Sequence, residues 1–217
     1  MNIIANTDFS YLGDRDYINS TSLVEFIHDN IDVFIDSTPH IDYSLDIKIH
    51  KEVKTNCRVD VYKNNHKYNK ESLICDAILR SNNDIRYVYF VSNDQPIIKN
   101  KIDSKYAVEK IELYGEFSGY YRVSASNYSE FIRNIIQSNK LLHIDNLDFT
   151  NYKILNMFMK STPVGLIKYN EKLDIEIKNI GIRFSSDGCL STMNKVIFTG
   201  ISLKPMFIGF QVLRLHK

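Results

Sequence analysis

Tryptophan is absent from this 217-residue chain, proline occurs four times and glycine eight, and no low-complexity tract suggests a disordered segment. Neither sign of charge is in excess: 27 Lys and Arg face 26 Asp and Glu, for a net charge of +1. Bulk electrostatics therefore propose neither a phosphate backbone nor an anionic bilayer, and we expect no nucleic-acid and no membrane partner. The densest basic patch, "KNNHKYNK" (Lys63–Lys70), reads as a solvated turn. Cysteine is scarce and odd in number, with Cys57, Cys75 and Cys189 far apart and no Cys-x-x-Cys pair. That spacing offers no zinc site, and Cys57 and Cys75, in strand-like stretches, read as buried thiols in a reducing compartment. The start, "MNIIANTDFS", lacks a basic region followed by an apolar run, so no signal peptide is expected. Nor does any apolar stretch approach the roughly 20 residues of a membrane helix. The expected location is cytoplasmic. Nucleotide-binding loops of the Walker or Gly-x-Gly-x-x-Gly type are missing, and Gly188-Cys189-Leu190-Ser191 lacks the second glycine of a serine elbow. No cofactor is expected.

What the chain does have is a pattern stated twice. "DYINSTSLVEFIHDNI" (Asp16–Ile31) and "YRVSASNYSEFIRNII" (Tyr121–Ile136) share Glu-Phe-Ile in register and end on the same Ile. In the first, Leu23, Phe26, Ile27, Ile31, Phe34 and Ile35 form one stripe of an amphipathic helix. Ser22 with Glu25 three residues on reads as a capping box at its start. In the second, Asn127 and Glu130 occupy those places, and the stripe is Tyr128, Phe131, Ile132, Ile135 and Ile136.

Behind each helix the period changes to two. Ser44–His50, Cys57–Lys63, Ser72–Arg80 and Ile85–Val91 read as strands, as do Leu173–Phe184, Asn194–Leu203 and Met206–Leu215. Tyr152–Ser161 fits helix or strand. "LDIKI" at Leu45 and "LDIEI" at Leu173 form a second near-match. A period of roughly 105 residues is too long for a solenoid unit and about right for a small domain. The fold class is therefore α+β, with tandem halves at 1–98 and 99–217 joined near "NDQPIIKNKIDSKYA" (Asn93–Ala107).

One apolar helix followed by antiparallel strands resembles the hotdog fold, in which a sheet wraps around a helix, and two in tandem resemble a double hotdog. Many hotdog thioesterases carry Gly-His-Val-Asn after an aspartate and just before the central helix. "GDRDYIN" (Gly13–Asn19) is similar: Asn19 matches the Asn, Ile18 the Val, and Tyr17 takes the place of the His. Asp14 lies close to the family's acid, out of strict register. The resemblance implies an acyl-thioester enzyme, hydrolytic or acyl-transferring, in a biosynthetic pathway. Its substrate would be a thioester of coenzyme A or of an acyl carrier protein, and the chain would be a monomer or homodimer.

On that resemblance the loop before each helix, with the helix amino end, holds the chemistry. Asp14 or Asp16 is the expected base or water activator, and Tyr17 and Asn19 the orienting donors. Amides near Ser20, Thr21 and Ser22 would stabilise an oxyanion. From the second half, Tyr121, Arg122 and Ser124 would contact the carrier or pantetheine arm. The plain alternatives are a charged surface loop for the aspartates, a packing residue for Tyr17 and a turn residue for Asn19. Glu25 and Glu130 sit where some hotdog enzymes place an acid, and a capping role accounts for both. Hotdog dehydratases need a His near such a loop. Here His28 lies inside the helix, His40 follows Pro39, His50 ends a strand, and His66, His143 and His216 read as peripheral. A non-catalytic acyl- or protein-binding module, a dehydratase and a pocketless interaction protein remain the competing readings.

Overall fold

A computed structural model describes residues 3–11, 17–35, 43–81, 84–97, 106–147, 152–160, 171–185 and 189–214. The chain falls into two compact units, one within Met1–Lys105 and one built mainly from Tyr106 onward. Both are mostly antiparallel sheet with a helix, and among the described residues no helix is long and apolar enough to cross a membrane.

The first unit contains β1 (Ile3–Asn6), α1 (Ser20–Asp29), α2 (Ile31–Phe34), β2 (Ser44–Ile49), β3 (Thr55–Tyr62), β4 (Leu73–Arg80) and β5 (Ile85–Pro96). Its strands lie in the order β1-β3-β5-β4-β2, each pair antiparallel. Alternation sorts the side chains by face. Val59, Val61, Ala77, Leu79, Val88, Phe90, Leu45 and Ile47 are buried, and Leu23, Val24 and Ile27 of α1 are buried with them. Phe26 of α1 meets the edge of Phe90 at 5.9 Å, which fixes the helix on that face of the sheet. Buried Arg86 projects to the same side, donating from Nε to the Phe34 carbonyl at 2.8 Å. The helix expected to run unbroken to Ile35 stops at Asn30, whose side-chain amide donates to the Phe26 carbonyl at 2.8 Å and closes α1.

The strand order has a consequence for the other face. Both β3 and β4 run antiparallel to β5, so they are parallel to one another, and the chain between Tyr62 and Leu73 must return over the sheet. It does so on the face away from α1. His66 stacks on Tyr62 at 4.7 Å, and Tyr68 lies on Tyr89 at 4.6 Å. The segment read as a solvated turn is thus a crossover with two rings docked on strand residues.

The second unit contains β6 (Val108–Leu113), β7 (Gly119–Ser124), α3 (Tyr128–Asn146), β8 (Tyr152–Lys160), β9 (Lys172–Phe184), β10 (Leu190–Phe198) and β11 (Met206–Arg214). The order is β8-β11-β10-β9-β7-β6, again antiparallel throughout. The expected stripe of α3 is buried, but the helix continues two turns further and buries Asn139, Leu142 and His143. Far from peripheral, His143 is enclosed between Phe117 at 4.9 Å and Phe210 at 5.1 Å. Its Nδ1 donates to the Asn139 carbonyl at 2.7 Å, which leaves Nε2 to accept from the Thr192 hydroxyl, also at 2.7 Å. Asn194 donates to Asn139 at 2.6 Å and accepts from Asn179 at 2.8 Å. A buried polar chain therefore ties α3 to β10 and β9.

The repeated sequence motifs do not fall at equivalent structural positions. Glu25-Phe26-Ile27 lies in the second turn of α1, whereas Glu130-Phe131-Ile132 lies in the first turn of α3. "LDIKI" is in the first strand after its helix and "LDIEI" in the second. The middle strands also differ in order: β5 precedes β4 when the first unit is read from its β1 edge, whereas β10 precedes β11 when the second is read from its β6 edge. Any β-rich chain repeats alternating apolar residues, and that periodicity suffices for the second match. Strands β1, β6 and β7 lie outside the expected set. The strand expected at Asn194–Leu203 sits at Leu190–Phe198, because the chain turns at Gly200, with φ of 80°.

Cys57 and Cys75 are free and buried, as the sequence suggests, and so is Cys189. Burial pushes the Cys57 thiol up to about 12, and that of Cys75 well above its ordinary value. The thiolate is the reactive form. In native buffer at pH 8, neither Cys57 nor Cys75 is expected to react with iodoacetamide within an hour, while both label fully in urea; mass spectrometry of peptides reads the result.

Candidate functional site

The amino end of α1 is where the predicted site residues gather. Ile18 is pinned to Val53 by an antiparallel bridge, its amide donating to the Val53 carbonyl at 2.8 Å, with both side chains buried. This anchor fixes the approach to Asn19, which is extended at φ −72° and ψ 147° and hands over to the helix at Ser20. The expected capping box of Ser22 and Glu25 does not form. Ser22 lies inside the first turn, its amide donating to the Asn19 carbonyl at 3.0 Å, and Asn19 makes no side-chain cap bond. No acidic residue occupies the first turn. The partial positive charge of this helix end is thus not offset by a carboxylate within the first turn.

Thr21 is 1% exposed and its hydroxyl has no hydrogen-bond partner among the described residues. A buried hydroxyl without a partner is costly, roughly 1–3 kcal/mol; the buried hydroxyls of Tyr121 and Tyr128 also lack a hydrogen bond among the described residues. Ser20 is buried beside it, and Tyr17, Asn19 and Ser22 are half-buried. Asp14 and Asp16 lie outside the described residues.

The amino end of α3 is closed. Asn127 accepts from the Glu130 amide at 2.9 Å, and the Glu130 carboxylate accepts from the Ser126 amide at 2.7 Å. The capping box expected of Asn127 and Glu130 is present, so Glu130 both satisfies amides and offsets the helix dipole.

The three residues expected to bind substrate from the second half lie in a strand. Tyr121, Arg122 and Ser124 belong to β7 rather than to a loop before the helix. Neighbouring strand residues face opposite ways, so Tyr121 and Arg122 lie on opposite faces of the sheet. Tyr121 is fully buried, its hydroxyl unpartnered and held protonated by desolvation. Arg122 lies across from Asp174 of β9 and grips it with two bonds, of 2.6 and 3.1 Å. The bonded guanidinium holds the Asp174 carboxyl below its ordinary range. Ser124 is held through its backbone, its amide on the Ala107 carbonyl and its carbonyl on the Asn134 side chain.

No protein-family model matches the sequence, and neither does any curated protein. Solved structures do match the fold. One is assigned as an oleoyl thioesterase from Lactobacillus plantarum, with 10% identity, TM-score 0.51, and coverage of 100% of this chain and 98% of that one. Another is a hot dog fold protein of unknown function from Alicyclobacillus acidocaldarius, at 7% identity, TM-score 0.51, and coverage of 93% and 89%. A third is the dehydratase domain of the CurJ module of curacin polyketide synthase, at 9% identity, TM-score 0.56, and coverage of 98% and 93%. At such identities the likeness is one of fold. The chain has the hotdog fold, as the sequence resemblance proposed.

Proposed function

We propose that this chain is a tandem of hotdog units that binds an acyl thioester at the amino end of α1 and hydrolyses it. The observation that carries the reading is the contrast between helix ends. At the start of α1 the Asn19 side chain makes no cap bond, no acidic residue lies in the first turn, and the Thr21 hydroxyl within that turn is buried and unpartnered among the described residues, whereas the start of α3 is closed by Asn127 and Glu130. A helix amino end without acidic residues and a buried hydroxyl donor suit the developing negative charge of a thioester carbonyl oxygen. In the reaction, water adds to the carbonyl carbon, the carbon–sulfur bond breaks, and the departing thiolate of coenzyme A or phosphopantetheine takes a proton. Asp14 or Asp16 would accept the proton from the attacking water, and Tyr17 and Asn19 would orient it.

Dehydration of a hydroxyacyl thioester is the second reading, since a dehydratase domain shares the fold. No histidine precedes His28 in the sequence, and His28 is bonded to the Tyr43 hydroxyl at 2.7 Å. His50 pairs with Asp76 on the sheet face away from α1, and His40 lies outside the described residues. Hydrolysis needs no histidine, and we favour it for that reason.

The test is a panel of acyl-CoA thioesters that includes a 3-hydroxyacyl member, read by thiol release and by absorbance of an enoyl product. Thiol release is expected, and Thr21→Val, Tyr17→Phe and Asp14→Asn are each expected to lower it at least about tenfold with the fold retained by circular dichroism. Enoyl formation without thiol release would transfer the assignment to dehydration. Turnover unchanged in all three variants removes the site.

A further inference from the structure

The crossover between β3 and β4 leaves a cavity of about 210 Å³ against the face of the first unit's sheet that points away from α1. Tyr68, Asp76, Ile78, Tyr87 and Tyr89 are among its lining residues, and strand alternation puts the side chains of the last four on this face, with Asp76 across from Tyr89 and Ile78 across from Tyr87. We infer that this cavity is a second binding site, distinct from the α1 end, and that it takes a small organic ammonium group.

Two of the three rings are fixed before any ligand arrives. The Tyr89 hydroxyl donates to Asn65 at 2.8 Å and accepts from the His66 amide at 2.9 Å. The Tyr68 hydroxyl donates to Asp60 at 2.5 Å, and its ring rests on Tyr89. The Tyr87 side chain, by contrast, has neither a ring partner nor a hydrogen bond among the described residues, although the residue lines the cavity. Asp76 supplies the charge. One carboxylate oxygen is bonded to His50 Nε2, and the other has no partner among the described residues. Lys48, directly across from Asp76 on β2, makes no ion pair with it.

Aromatic faces carry negative quadrupole density, and rings set beside a carboxylate attract a cation too large and too weakly hydrated for a tight salt bridge. Inorganic cations would gain little from the rings, and anions would meet the carboxylate. The volume lies below the roughly 300–1,000 Å³ of drug-sized pockets, which suits a head group. The site is therefore one for a quaternary or alkylated ammonium head.

The test uses the full chain with ring-labelled tyrosine, titrated with choline chloride at constant ionic strength and followed by NMR. Choline is expected to shift the Tyr87 resonance and those of Tyr68 and Tyr89, saturating in the millimolar range. Dimethylbutanol, in which carbon replaces the ammonium nitrogen, should bind at least about tenfold more weakly. Tyr87→Ala and Asp76→Asn should each weaken choline at least roughly fivefold, while Tyr87→Phe, which keeps a ring face, should stay within about twofold of the parent. Equal affinity for the uncharged analogue, or full choline affinity in Tyr87→Ala, overturns the proposal, as does the absence of any shift at Tyr87. Thioester turnover does not enter these readouts, so the α1 assignment and this one fail separately.

Discussion

Phe90→Ala is expected to lower the free energy of unfolding by about 3–5 kcal/mol, measured by urea denaturation with circular dichroism. Phe90 is completely buried in the middle of β5, the central strand of the first unit, with β3 on one side and β4 on the other. Truncation removes its buried apolar surface and leaves a void beneath Phe26, which packs edge-on to it at 5.9 Å. Phe26 in turn reaches Phe9 at 6.1 Å and Phe34 at 6.3 Å, so the neighbours are held from several sides and cannot collapse into the gap. Restricted relaxation puts the loss toward the upper end of the range. Phe184→Ala is the control. That residue is 76% exposed at the end of β9, and its truncation should change stability by less than about 0.5 kcal/mol. A Phe90→Ala loss below about 1 kcal/mol would mean that α1 is not seated on β5 as described.

What sequence alone conveyed follows the strength of each local signal. The strands of β2, β3, β4, β5, β9 and β11 were legible because one face is buried, and a period of two is then enforced along each of them. The strand β7 was not legible. "GYYRVS" pairs a glycine with adjacent tyrosines, and the segment resembles a loop until Tyr121 and Val123 are seen buried while Tyr120 and Arg122 face outward. Gly119 is needed there for a steric reason: a Cβ would come within 2.8 Å of the Glu112 carbonyl across the hairpin. The strand order was beyond reach as well, since nothing in "KNNHKYNK" announces that its histidine and tyrosine dock on a crossed strand.

The two helix starts show the limit more sharply. Ser-x-x-Glu at Ser22 and Asn-x-x-Glu at Asn127 are equivalent as patterns, yet one caps and the other does not. The deciding factor is the Ile18–Val53 bridge, which fixes the chain early enough that α1 begins at Ser20 and carries Ser22 inside it. A long-range pairing thus overrode a local preference. The same shift places Thr21 in the first turn and buries it, although composition would have placed it at the surface.

The polar stretch of α3 was overlooked for a related reason. Asn139 and His143 continue the spacing of Ile132, Ile135 and Ile136, so the buried stripe turns polar without changing face. Enclosed there, the His143 imidazole is held neutral, its pKa lowered by loss of water. The unfolded chain takes up that proton near the ordinary value of about 6.5. Below that point the unfolded state binds more protons, so stability is full above it and declines as pH falls toward the lower folded value. One such group contributes a slope of at most about 1.4 kcal/mol per pH unit. His28, also lowered by burial, contributes in the same direction. His143→Gln should therefore be less stable than the parent at pH 7.5, because the bonds to Asn139 and Thr192 are disturbed. It should also lose less on acidification between pH 7 and 5, by up to about 1.4 kcal/mol per unit. Thermal melts across that window read both effects. Parallel pH profiles for parent and variant would show that the proton never meets a buried ring.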